Sequence, residues 1–192
     1  MKVISIGCNC DVATFIKNNF NSESYPFDWL WTTIDFIINT FETDYFKFSE
    51  CEKLIAEFAG HTYIHSGGLK RTSSAISLHD ADGQSESEYI SNIPLINEKY
   101  KRRFKRLYDT LNQDEDIILI RKVLPLSQGA IKHSVETDEK INYLSELLSK
   151  KFKAKITICI LDNQVINKNN TLNNIKFFNS EDELLIFIKS QI

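Results

Sequence analysis

The sequence is poor in residues that break or staple a chain. Its 192 residues include three prolines, six glycines and four cysteines. So little Pro and Gly argues against a low-complexity or disordered chain. Cys8, Cys10, Cys51 and Cys159 offer only a Cys-x-Cys spacing, not the Cys-x-x-Cys of zinc and redox sites. With no easy disulfide between Cys8 and Cys10 and no export signal ahead of the first strand-like run, free thiols in the cytoplasm are expected. No apolar run reaches the length of a membrane-spanning helix, so no membrane partner is expected. Gly-x-Ser-x-Gly is missing, which disfavours an ordinary serine α/β-hydrolase, as are the Walker loop and Gly-x-Gly-x-x-Gly of nucleotide sites. Net charge is only −3, and a nucleic-acid partner is not expected.

What is present is an ordinary globular composition, 42% hydrophobic and 26% charged, of a length that suits one domain over 1–192. Val3 to Ile6 reads as a buried strand, and Val12, Phe15 and Ile16 as the inner face of a helix. A dense aromatic segment, Phe27-Asp28-Trp29-Leu30-Trp31, precedes an amphipathic helix over 32–46 with Thr32 or Thr33 as its cap. A short helix near 54–58, a strand-like stretch at 61–65, a strand over 74–78 and a polar loop over 80–88 follow. A helix is expected after Pro94, with Tyr100, Phe104, Leu107 and Leu111 inward and a basic run from Lys99 to Arg106 outward. Asp116–Arg121 and Lys155–Leu161 are fully apolar strands around a helix over 137–152. A third strand, Ile175–Phe178, leads to a capping box at Ser180 and Glu183. Apolar strands alternating with helices predict an α/β, three-layer sandwich with a mainly parallel sheet.

Chemistry is expected where strands end, since open α/β sheets gather their sites at the carboxyl ends. Gly7-Cys8-Asn9-Cys10-Asp11 is a strand-to-helix turn, where backbone N–H groups and the helix dipole lower a thiol's pKa. His79-Asp80 follows the 74–78 strand and Arg121 ends another; parallel strands would bring all three groups to one rim. A thiol with an imidazole base is the minimum for nucleophilic acyl transfer, with Asp80 or Asp28 to orient the ring. Asn9 and the N–H groups of the Gly7 turn would hold an oxyanion, Arg121 an anionic substrate group, and Trp29 is a further lining candidate. Each has a plainer reading: a buried thiol, a strand-end histidine, a helix-capping Asp28, an Arg121 paired with a core-edge carboxylate, a core Trp29 and a solvated basic helix. His61 and His65 sit in a strand-like, Gly-bounded stretch, so no metal site is read; His133 is assigned no role. No cofactor is expected. A second functional reading is a phosphosugar or nucleotide-sugar site built from Arg121, the basic helix and the turn.

Ile4-Ser-Ile-Gly-Cys-Asn-Cys10, Tyr25-Pro-Phe-Asp-Trp29, His79-Asp80, Arg102-Arg103-Phe104 and the strand ending in Arg121 together resemble the DUF1796 family, described as papain-like cysteine peptidases. The resemblance implies a cysteine-dependent hydrolase acting on a small-molecule, glycan or peptide substrate. It places the family cysteine on Cys10 and the histidine on His79, and it implies a papain-like α+β fold as the alternative architecture. The strand–turn–helix start also resembles the first block of SGNH-type esterases, with Cys in place of Ser.

Overall fold

The computed structural model describes residues 1–7, 10–20, 23–43, 75–77, 86–123, 136–161 and 172–192. The helix and strand expected near 54–58 and 61–65 lie outside these residues, as do Cys8, Asn9, Cys51, His79, Asp80 and His133.

Four strands form one sheet: β1 (Lys2–Ser5), β4 (Asp116–Lys122), β5 (Lys155–Leu161) and β6 (Ile175–Phe178), in that spatial order and parallel throughout. Side chains alternate across each strand. Ile4, Ile117, Leu119, Ile156, Ile158 and Ile160 face one way, where α2 (Ile34–Thr43), α3 (Glu86–Leu111) and α4 (Asp138–Lys151) bury Phe41, Phe104, Leu107, Leu144 and Leu148. Val3, Ile118, Ile120 and Cys159 face the other way, against Phe15 and Ile16 of α1 (Cys10–Asn19) and Leu184 and Ile188 of α5 (Glu181–Gln191). The result is the three-layer α/β sandwich expected from the strand pattern. The antiparallel pairing among the described residues is confined to a ribbon of two three-residue strands, β2 (Leu30–Thr32) and β3 (Ala75–Ser77). No helix among the described residues is long and apolar enough to cross a membrane.

Two expectations are corrected. The 74–78 strand does not join the parallel sheet: β3 pairs with β2, with Ser77 opposite Leu30 and Ala75 opposite Thr32. Such short strands carry no periodicity that names their partner. The long helix does not start after Pro94 but at Glu86, with Pro94 inside it. Glu88, exposed in the first turn, suits the positive end of the helix dipole. Pro94 is exposed, so the carbonyl of Ile90, four residues back, loses its helical donor on the solvent side, where water replaces it.

Candidate functional site

The site grows from the carboxyl end of β1. Backbone pairing with β4 continues past the strand, as Ile6 N–H donates to the Ile120 carbonyl at 2.9 Å. Gly7 then turns the chain with φ +84°, a conformation glycine adopts without Cβ strain. Its amide donates to Ser5 Oγ at 3.1 Å. Cys10 opens α1 as a free, half-buried thiol. The other described cysteine, Cys159, is buried in the sheet, and burial pushes its thiol up to about 12.

Arg121, fully buried near the end of β4, ties this turn to the ribbon. Its Nη1 donates to the Ile6 carbonyl and to Thr32 Oγ1, both at 3.2 Å, and its Nη2 donates to the Thr32 carbonyl at 2.9 Å. Glu136 closes the other side of the fork, accepting from Nε at 3.0 Å on each carboxylate oxygen and also from Nη2. Of the two readings of Arg121, anion grip and core-edge ion pair, the geometry supplies the ion pair. Beside it, Lys122 Nζ lies 2.7 Å from Asp11 Oδ2, bracing the first turn of α1 against β4.

Asp28 and Trp29 lie in the turn that leads into β2, and Trp29 packs against the far end of α1 from Cys10. The Lys17 ammonium sits 4.6 Å from the centre of the Trp29 ring. Lys17 follows Cys10 by seven residues, about 10 Å along the helix axis. Asp28 does not cap α2; Thr33 does, its Oγ1 accepting from Phe36 N–H at 3.1 Å. Asp28 instead accepts from Tyr25 N–H at 2.8 Å, closing the Tyr25-Pro26-Phe27-Asp28 turn. Burial raises its carboxyl from the ordinary 3.8 to about 6, against the pull of the Tyr25 N–H and of the Arg103, Lys17 and Arg106 charges. Its folded pKa exceeds the unfolded one, so its contribution to stability is present below about pH 4 and lost as pH rises through about 6. Asp28→Asn keeps an acceptor for Tyr25. It is expected to stabilise the protein at pH 7 by about 2 kcal/mol and to flatten the stability profile between pH 4 and 6. Urea unfolding of both proteins across that range tests this.

The described rim therefore unites Gly7, Cys10 and Arg121 with Thr32, Glu136, Asp11 and Lys122, none of which the sequence analysis offers as a site residue. A buried guanidinium requires a carboxylate, but no periodicity marks Glu136. The basic stretch of α3 sits at the other end of the sheet: Arg102 and Arg106 share a cleft with Lys2, at the start of β1. Arg121 and these arginines are thus separated by the length of β1, about 13 Å, and do not form one anion site. Among the described residues no cluster of three or more His, Cys, Asp or Glu side chains could hold a metal.

A family model described as "Putative papain-like cysteine peptidase (DUF1796)" matches residues 1–162. No curated protein and no solved structure matches the chain.

Proposed function

The chain belongs to the DUF1796 family, and from that premise we propose that it is a thiol-dependent hydrolase or acyl transferase with Cys10 as its nucleophile. The observation that carries the reading is the placement of Cys10. It is a free, partly exposed thiol on the first residue of a helix at the carboxyl end of β1, where open α/β sheets gather their reactive groups. His79, two residues past the end of β3, is assigned as base, with Asp80 or Asp28 orienting its ring. The imidazole takes the thiol proton and the thiolate adds to a carbonyl. Asn9 and the turn N–H groups hold the oxyanion, and the imidazolium returns the proton to the leaving group. Water or a second acceptor then releases the acyl group from Cys10. Arg121 serves by fixing Ile6 and Thr32 around the nucleophile turn.

The test is the pH dependence of iodoacetamide labelling, mapped by mass spectrometry in the native protein. Cys10 is expected to be labelled in the native protein while the buried Cys159 stays unreacted. His79→Ala is expected to slow the reaction at pH 6 by about tenfold or more. Whichever of Asp28→Asn and Asp80→Asn shifts the same profile identifies the orienting carboxylate. A Cys10 that stays inert until the protein unfolds sinks the proposal.

A further inference from the structure

A cleft of about 420 Å³ lies at the amino end of the sheet, between one face of α3 and the start of β1. Arg102, Lys105, Arg106 and Asp109 recur at helical spacing along its α3 wall, and Lys2 and Glu23 stand opposite. Four cations meet two carboxylates here, in a chain whose net charge is −3. The cations are not equally committed. Lys105 pairs with Asp109, and Arg106 lies 3.5 Å from Glu23 while donating to the Ser24 carbonyl. Arg102 has no carboxylate partner among the described residues. A second hollow of about 340 Å³ adjoins, sharing Lys2 and Glu23 and lined also by Phe20 and Tyr25.

We infer that this cleft is a binding site for a small phosphomonoester, whose phosphate is held by Arg102 and Arg106 and whose organic part lies towards Phe20 and Tyr25. An arginine fork matches phosphate geometry, and an open cleft of about 420 Å³ has room for a ligand of nucleotide size. Arg106 is already fixed by the Ser24 carbonyl, so part of the site is ordered before the ligand arrives. Glu23 and Asp109 in the cleft walls, with the net negative charge of the chain, disfavour an extended polyanion such as RNA. The site is independent of the thiol chemistry, because Lys2 and Gly7 stand at opposite ends of β1, about 16 Å apart.

Isothermal titration of the full chain with AMP and with inorganic phosphate tests the inference. AMP is expected to bind at one site, more tightly than phosphate, and to weaken as sodium chloride is raised. Arg102 is exposed, so Arg102→Ala should fold normally, and it is expected to weaken AMP binding by about tenfold or more. Amide NMR shifts on AMP addition should appear at Lys2, Arg102 and Arg106 and not at Gly7. Absence of AMP binding, an affinity unchanged in Arg102→Ala, or tight binding of a single-stranded oligonucleotide without AMP binding would overturn it. Each outcome is read without reference to Cys10 reactivity, so failure of the hydrolase reading leaves this one standing, and the reverse.

Discussion

Glu136→Ala is expected to destabilise the protein by about 3–5 kcal/mol and to lower its Tm by roughly 10 °C. The pair it breaks is almost fully enclosed: the Arg121 side chain is 0% exposed and that of Glu136 only 7%. Removing the carboxylate leaves a guanidinium with no counter-charge in a site where solvent cannot reach it. That is a different experiment from removing both charges. Arg121→Met with Glu136→Leu should recover part of the loss, because no bare charge remains. Recovery stays incomplete, because the Ile6 carbonyl and both oxygens of Thr32 lose the donors that Arg121 supplies. Urea unfolding is the measurement to use, since guanidinium salt screens charges. A loss below about 1 kcal/mol for Glu136→Ala, typical of an exposed pair, would refute the structural role given to Arg121. The single variant should also slow Cys10 alkylation while the protein is still folded, because Ile6 immediately precedes the turn that leads to Cys10.

This pair also marks where sequence reasoning succeeds and where it stops. Asp116–Arg121 and Lys155–Leu161 are recognisable because a strand buried on both faces must be apolar at every position, and the structure gives β4 and β5 nearly those bounds. The last two helices are legible because their caps are chemical: Thr137 accepts from Lys140 N–H at 3.3 Å and Ser180 from Glu183 N–H at 3.2 Å. Arg121, a cation ending an apolar strand, signals a carboxylate partner, but the identity of Glu136 depends on where the chain returns after β4. β3 is read as a strand within 74–78, but its antiparallel pairing with β2 is illegible for the same reason. Strands of three residues are too short for a pattern that names a partner, and the aromatic density of 27–31 hides β2 by reading equally well as core. Cys10 at the start of α1 follows from Gly7 and the apolar spacing after it.

Gly7→Ala is the second variant with a large expected effect, a loss of about 3–4 kcal/mol from two separate causes. An alanine at φ +84° costs about 1–2 kcal/mol whatever surrounds it. Its Cβ would also stand 2.2 Å from Thr32 Oγ1 and 3.3 Å from Thr32 Cβ and Cγ2, and forced overpacking of this kind costs roughly 1–3 kcal/mol. The second cost is hard to relieve, because the hydroxyl and the carbonyl of Thr32 both accept hydrogen bonds from Arg121. Any movement of Thr32 away from the new methyl group stretches those bonds. A double-mutant cycle separates the causes. Thr32→Ala removes the closest atom, so it should be clearly less damaging in the Gly7→Ala background than in the natural one, a coupling on the order of 1–2 kcal/mol. The conformational cost persists in the double variant. Strict additivity would mean that Gly7 acts through its backbone angle alone and that the close approach to Thr32 has no energetic weight. Coupling accompanied by slower Cys10 labelling would link the packing of Gly7 against the ribbon to the placement of the thiol, since these contacts set where the chain leaves β1 and enters α1.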